Sequence, residues 1–535
     1  MPSRAYRGGR TVSRASFSVF AAIFLLFSTS LAAGVAHQLH QSSMAAVRAA
    51  AIPRYLVVLV LDGGEPSYLH ITSLPHFDAL RRAGIEYDHA FAGILESETP
   101  AGHATLSTGS TPARDGMLGF NWISDNNTPV RLFDPKTVRA GAMEHVMQQA
   151  GVPTIASLFK ARYPHAKVVA VSGHKYYAAD PLGGPNADYI MYYAPDAKNY
   201  HYLPTAIPGH VPPASILNAP GLSTQSATLP LGTEDTLATK LSMESFRQVH
   251  QQVTLINLPE FDWPLGHVDG GQHDKAVTLM KDFDRDLGYI EDTYRKAGVL
   301  DKTAFVITAD HGMSPLKYQI PDAVMDDAVT KAGTTSLETT YSTAGYIWLQ
   351  NAAMAQSVAE NVLSAKNQYV QAVYYKVHAQ TGDSYVLASG QQVTPPTDTA
   401  NQYLLQSFLG GNAPDVVAFC TEDAAFAAQG ALSWKGNHGG GAWQSQHIPL
   451  VIAGPGVAAG VVSHAPVRLE DVAPTALALF KIKATGMQGS VLADGLQSPS
   501  PAQTAVQQQL SHLLNPVVSG LIDQSQADLT AQVRK

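Results

Sequence analysis

Residues 55–61, Tyr-Leu-Val-Val-Leu-Val-Leu, form an unbroken apolar run that ends on Asp62-Gly63-Gly64. A short run of this kind, without a polar break, suits a strand buried on both faces of a parallel sheet. The pattern returns. Val253–Leu258 leads into Pro259-Glu-Phe-Asp262-Trp-Pro-Leu-Gly-His267, and Ala304–Ile307 leads into Thr308-Ala-Asp310-His311-Gly312. Val168–Ser172 leads into Gly173-His174-Lys175-Tyr-Tyr. Helical periodicity separates these runs at 70–83, 236–250 and 275–297. Strand–helix–strand alternation implies an α/β fold whose sheet is mostly parallel with right-handed crossovers. Ligands of such sheets bind beyond the carboxyl ends of the strands, where these acids and imidazoles stand.

Taken one at a time, an Asp before Gly is an ordinary turn residue and a loop His is ordinarily solvated. The recurrence argues otherwise. Asp62, Asp262, His267, Asp310, His311 and His438, the last in Gly436-Asn-His-Gly-Gly-Gly, all follow or lie near predicted strand ends. Three carboxylates and three imidazoles suffice for two divalent cations with three protein ligands each. The chain holds one cysteine, Cys420, among 20 histidines, so a thiolate cluster and an internal disulfide are excluded. The mixed His/Asp donor set suits zinc first, with manganese at one position as the alternative.

A hydroxyl belongs with these ligands. Thr99 precedes Pro100 in Glu96-Ser-Glu-Thr-Pro-Ala-Gly-His-Ala-Thr-Leu-Ser-Thr-Gly109, a segment that can open a helix after an extended residue. An N-cap threonine is one reading. A nucleophile activated by two metals, which clamp an in-line phosphoryl displacement, is the other. Asn121 could donate an amide hydrogen bond to an anion and Lys175 could reach one, although each residue type is also common in structural or surface roles.

The termini and insertions set the domain plan. Arg4, Arg7, Arg10 and Arg14 precede a nearly apolar stretch from Phe17 to Phe27 and the small residues Ser30, Ala32, Ala33, Gly34 and Ala36. This reads as a signal peptide over 1–36, cleaved after Ala33 or Ala36, with an uncleaved anchor as the alternative. The folded part is accordingly expected to be periplasmic or secreted, touching a membrane only if that segment is retained. The catalytic core is expected over 50–320, with an irregular loop insertion at 185–231 rich in Pro, Tyr, Gly and Ala. An α+β cap at 321–426 and a second core segment at 427–485 follow, and 486–535 is peripheral. A formal charge of -8 with no basic run offers no electrostatic case for a nucleic-acid partner. A small phosphoester is the expected ligand.

This motif set resembles the alkaline phosphatase superfamily, and within it the nucleotide pyrophosphatase/phosphodiesterase-like branch. The resemblance rests on Leu61-Asp62-Gly63, Thr99-Pro-Ala-Gly-His with Ser107-Thr-Gly, Asp262…Gly266-His267, Ala309-Asp310-His311-Gly312-Met313 and Gly436-Asn-His438-Gly. It implies an alkaline-phosphatase-like three-layer sandwich with a cap over the strand ends. It also implies one zinc on Asp62, Asp310 and His311 and the other on Asp262, His267 and His438. Thr99 would bridge both ions and form a phosphothreonine, and Asn121 would hold a phosphoryl oxygen. Two departures stand out. The family separates the acid and His of the third motif by three residues, whereas four lie between Asp262 and His267, so a bulge is needed or Glu260 substitutes. Monoesterase relatives carry Lys-x-Arg where this chain has Lys175-Tyr176-Tyr177. The implied activity is phosphodiester or nucleotide pyrophosphate hydrolysis. Phosphomonoester hydrolysis is the alternative, and a non-catalytic phosphate- or metal-binding protein is a third reading.

Overall fold

A computed structural model describes residues 52–124, 126–133, 141–196, 201–225, 229–380, 382–410, 412–427 and 434–533. The expected signal peptide lies outside them, and among the described residues no helix is long and apolar enough to cross a membrane.

A ten-stranded sheet forms the centre. Its order is Val461–Ser463, Gly84–Tyr87, Leu450–Ala453, Thr303–Thr308, Tyr55–Leu61, Val253–Leu258, Val168–Val171, Tyr189–Asp196, His201–Ala206 and Thr224–Gln225. The four strands read from apolar runs sit side by side and parallel, as expected. Leu450–Ala453 enters antiparallel between Thr303–Thr308 and Gly84–Tyr87.

Side-chain alternation explains why residues 56–61 are apolar throughout. Leu56, Val58 and Val60 point into one core and Val57, Leu59 and Leu61 into the other. The first core is closed by Ile155–Arg162 and Val472–Leu479, the second by Pro75–Arg82, Thr233–Val249 and His273–Lys296. Full burial of each such side chain contributes about 1.5–3 kcal/mol, so a polar residue on either face would be costly. The result is the three-layer sandwich that the motif resemblance implied.

The stretch 185–231 is not the irregular insertion expected from its composition. Tyr189–Asp196, His201–Ala206 and Thr224–Gln225 extend the sheet to its edge. Tyrosine favours strands, and Pro195 and Pro204 are tolerated because this part of the sheet is peripheral. The proline and glycine content obscured that signal.

Within 321–426, five strands form a second, antiparallel sheet in the order Ser336–Tyr341, Ala344–Leu349, Val416–Cys420, Val370–Ala379, Gly382–Leu387. Ala323–Lys331 and Ala355–Ser364 cover one face. Pro395–Gln406 covers the other, together with Pro501–Val533, a long helix that buries Leu510, Leu514, Val517, Val518 and Leu521. The C-terminal segment thus supports the second sheet. The turn between the first two of these strands, at Tyr341 and Ser342, reaches the end of the central sheet.

Candidate metal centre and nucleophile pocket

Register brings the acids together. Leu61 pairs with Leu258 and Val60 with Thr308, so three chains leave the sheet at one level. Asp62, Asp262 and Asp310 stand just beyond, all buried. Gly63 and Gly102 permit the close approach. A Cβ on Gly63 would lie 3.1 Å from the Asp262 Cα, and one on Gly102 would lie 2.6 Å from the Asp310 carbonyl oxygen. His438 arrives from a distant loop through an antiparallel clip, in which Gly436–Asn437 pairs with Ser314–Pro315 directly after His311. The His311 and His438 rings stack with centroids 3.5 Å apart.

The long spacing of the third motif is absorbed by a π-helical turn over Asp262–Val268. Such a turn accommodates one residue more than an α-turn, so residues five apart share a face. Glu260 is committed elsewhere: its carboxylate accepts from the Gly232 and Asp235 backbone N–H groups at 2.8 and 3.1 Å, capping the helix Thr233–Val249. The geometry therefore favours Asp262 over Glu260 as the partner of His267.

Tetrahedral coordination with ligand bonds of about 2.0–2.1 Å requires ligand atoms roughly 3.3–3.4 Å apart. His311 Nε2 lies 3.3 Å from Asp310 Oδ2 and 3.6 Å from Asp62 Oδ1. Asp262 Oδ1 lies 3.2 Å from His267 Nε2 and 3.4 Å from His438 Nε2. Asp262 Oδ1, Asp310 Oδ2 and His311 Nε2 are buried without a hydrogen-bond partner. Buried polar atoms are rarely left this way, and these three converge. Each imidazole is oriented by a backbone carbonyl that accepts from Nδ1: Gly436 for His267 at 2.8 Å, Gly312 for His311 at 2.9 Å and Ser97 for His438 at 3.1 Å. A carbonyl can only accept, so the proton sits on Nδ1 and Nε2 offers its lone pair inward. The residues present fit a pair of divalent cations.

Proximity alone groups the donors differently, as Asp262, His311 and His438, and as Asp62, His103 and Asp310. Donor chemistry argues against His103 as a ligand. Its Nδ1 donates to the Thr99 carbonyl at 2.8 Å and its Nε2 meets Asn257 Nδ2 at 3.0 Å. Asn257 Nδ2 also donates to Asp62 Oδ2 at 2.7 Å, and Ser172 Oγ donates to Asn257 Oδ1 at 2.6 Å. His103 further lies 3.2 Å from Asp310 Oδ2. Asn257 therefore fixes the Asp62 carboxylate, and His103 holds the backbone of Thr99. Sequence reading gave neither a role. Their signal was present: Asn257 interrupts an otherwise apolar strand end, and His103 follows Thr99 by one helical turn.

Lys175 departs from the surface residue its type suggests. It is buried, with Nζ 2.8 Å from Asp62 Oδ1 and 2.5 Å from Asp262 Oδ2. It bridges one acid from each triplet. Burial tends to raise Asp262, yet Lys175 and His267 outweigh it and hold the carboxyl well below its usual range. Burial raises Asp62, and the charge of Asp310 adds to this against the pull of Lys175. Burial, reinforced by His311, lowers His438 and favours its neutral, ligating form.

Thr99 is the first residue of the buried helix Thr99–Thr108 and lines a cleft of about 270 Å³ with Asp262, His267, His438 and Lys175. Asn121 begins a short strand, half-buried, its carbonyl accepting from Thr340 Oγ1 at 3.1 Å; at this point the cleft wall is Phe120. The structure thus gathers the six ligand candidates, Thr99 and Lys175, while Asn121 stands beside the wall. A larger cleft of about 750 Å³ surrounds Ile52–Tyr55 at the opposite end of the first strand and contains none of these residues.

A buried cluster of carboxylates and imidazoles at the carboxyl end of an α/β sheet, beside a cleft that Thr99 lines, defines a candidate divalent-metal centre. Residues 56–441 match the family of type I phosphodiesterases and nucleotide pyrophosphatases, and the chain belongs to that family. Alkaline phosphatase PhoK of Sphingomonas sp. is 22% identical over 49% of this chain and 56% of its own length. Alkaline phosphatase PhoD of Zymomonas mobilis is 30% identical over 21% of each chain. The chain thus spans about half or less of these curated relatives. Among solved structures, alkaline phosphatase PafA aligns with TM-score 0.64 at 16% identity, over 84% of this chain and all of its own. Murine ectonucleotide pyrophosphatase/phosphodiesterase 5 aligns with TM-score 0.55 at 15% identity, over 82% of this chain and 97% of its own. These likenesses establish the alkaline-phosphatase-like fold.

Proposed function

We propose that this protein is an exported hydrolase of phosphoric esters, acting on phosphodiesters or nucleotide pyrophosphates through a phosphothreonine at Thr99. The observation that carries this reading is the convergence of Asp262 Oδ1, Asp310 Oδ2 and His311 Nε2, all buried without a hydrogen-bond partner, with Asp262 and Thr99 lining one cleft. Asp62, Asp310 and His311 would hold one cation, and Asp262, His267 and His438 the other, with zinc the preferred metal. Bound there, two divalent ions neutralise phosphoryl charge and lower the pKa of a coordinated hydroxyl.

The chain's own residues do the rest. The helix entrance presents Thr99 Oγ1 to phosphorus, and the partial positive charge of the helix N-terminus favours an anion beside it. In-line attack forms the Thr99–phosphorus bond as the leaving oxygen departs. Water then breaks that bond and restores the hydroxyl. Lys175 holds Asp62 and Asp262 in register across the two triplets. An inactive threonine-to-alanine form of murine ectonucleotide pyrophosphatase/phosphodiesterase 5 is known in complex with AMP, which supports both the threonine role and a nucleotide-sized substrate. The alternative, phosphomonoester hydrolysis, draws on Lys175 and on the alkaline phosphatases among the relatives.

The test is kcat/KM of zinc-loaded protein on bis(4-nitrophenyl) phosphate against 4-nitrophenyl phosphate. Preference for the diester is expected. A much higher value on the monoester selects the alternative, and inactivity on every phosphoester tested rejects both.

A further inference from the structure

The second sheet ends beside the clip that delivers two of the imidazoles. Glu422 follows its central strand, Val416–Cys420, and is buried. Its Oε1 accepts from Ser314 Oγ at 3.0 Å, and its Oε2 accepts from the Trp443 backbone N–H at 3.0 Å. Ser314 lies three residues after His311, and Trp443 lies five residues after His438. One carboxylate therefore grips both sides of the clip, and each side carries a ligand candidate of a different triplet. Further bonds join the two sides directly. Ser314 Oγ lies 2.9 Å from Ser445 Oγ, and the Gly312 N–H donates to the Ser445 carbonyl at 2.8 Å.

Glu422 is itself anchored from behind. Its backbone N–H donates to Asp528 Oδ2 at 3.1 Å, and Ser525 hydrogen-bonds its side chain; both partners belong to the C-terminal helix Pro501–Val533. Asp528 also accepts from Gln371 Nε2 at 3.2 Å, which ties that helix to the strand Val370–Ala379. Hydrogen bonds thus run from the C-terminal helix through Glu422 to the loops of His311 and His438. Metal ligands depend on such supports, because an imidazole that turns or drifts no longer points its lone pair at the cation. Slack in either loop would part the His311 and His438 rings, which stack with centroids 3.5 Å apart. Burial pushes the Glu422 carboxyl up to about 7, so an uncharged amide of similar shape suits its site. A hydroxyl accepts as readily as it donates, and a glutamine there could keep both contacts.

We propose that Glu422 is a positioning residue of the metal centre: by holding Ser314 and the Trp443 backbone it fixes His311 against His438, with the C-terminal helix as its support. This rests on the paired-cation hydrolase reading above. It adds to that reading a residue outside both ligand triplets and outside the described lining of the Thr99 cleft.

The full chain loaded with Co2+ in place of zinc tests it. The EPR spectrum of the two-cobalt protein gives a readout that needs no turnover, alongside kcat on bis(4-nitrophenyl) phosphate. Glu422→Ala is expected to lower kcat about 10- to 100-fold and to change the cobalt spectrum. Glu422→Gln is expected to restore both. Asp415→Ala serves as the comparison, since Asp415 is a buried acid of the same sheet that bonds Leu349 and Lys376 instead. It should lower Tm and leave kcat and the spectrum as in wild type. A wild-type spectrum and kcat in Glu422→Ala overturn the proposal. So do equal changes in Asp415→Ala, because loosening the sheet anywhere would then suffice, and so does failure of Glu422→Gln to restore either readout. Where Glu422→Ala does not fold, Ser314→Ala removes the Oε1 contact alone and should shift the spectrum the same way; an unchanged spectrum there overturns the proposal as well. Wild-type protein that binds two Co2+ ions but turns over no phosphoester ends the hydrolase reading alone, and the spectra then decide the role of Glu422. Wild-type protein that binds fewer than two ions overturns both.

Discussion

Replacing Lys175 by methionine separates the role of its charge from that of the bound cations. In the metal-free protein its ammonium is the cation that contacts both Asp62 and Asp262, at 2.8 and 2.5 Å in a fully buried setting. With Asp310 alongside, three carboxylates would then face one another in a low-dielectric pocket. Removing one partner of a buried ion pair costs about 3–5 kcal/mol, because the remaining charge is left without compensation. Unfolding entropy near Tm is about 2.1 cal/mol/K per residue, so a unit of roughly five hundred residues loses about 1 kcal/mol per degree. The metal-free variant should therefore melt roughly 3–5 °C below metal-free wild type. Saturating zinc supplies positive charge to the same carboxylates and should shrink the gap to about 1 °C or less, by mass action on the folded state. Differential scanning calorimetry of both proteins, with chelator and with zinc, measures all four midpoints. An equal deficit with and without zinc would refute the reasoning, since Lys175 would then matter through packing alone.

Thr99→Ala should abolish turnover while two metals per chain remain bound; retained activity, measured with elemental analysis, would remove Thr99 as nucleophile. Asn257→Leu deletes the donor shared by Asp62 and His103. Loss of such an outer hydrogen bond should weaken one of the two metal sites by about 10- to 100-fold, and a two-site zinc titration with both affinities unchanged would contradict this. Burial, with Glu144 nearby, pushes Asp180 up to about 7. Its folded form therefore holds a proton that the unfolded chain releases near pH 4, so its stability contribution is full below that pH and lost by about pH 7. Asp180→Asn should gain on wild type by a few kcal/mol across that window. Denaturant unfolding at pH 4.5 and 7.5 reads this out, and a pH-independent difference would exclude it.

Much of the fold was legible because burial on both faces leaves a signature that needs no tertiary context. The strands 55–61, 253–258 and 303–308, and the acids that follow them, were read from short, predominantly apolar runs. Tyr189–Asp196 and His201–Ala206 were hidden, because Pro195 and Pro204 stand where these strands pair on one side only, and such positions tolerate residues that elsewhere mark loops. The one-residue excess between Asp262 and His267 was visible, but its resolution as a π-helical turn depends on backbone hydrogen bonding that spacing does not specify. Lys175 illustrates the general gap. A lysine reads as a surface residue until its burial between two acids is known, and those acids lie 113 and 87 residues away along the chain.

Anomalous diffraction from zinc-loaded crystals tests the central claim most directly. Two peaks are expected, one within bonding distance of Asp62, Asp310 and His311 and the other of Asp262, His267 and His438, both beside Thr99. A single peak, or a metal held without His438 or Asp262, would contradict the paired-cation centre and the phosphoryl-transfer chemistry drawn from it.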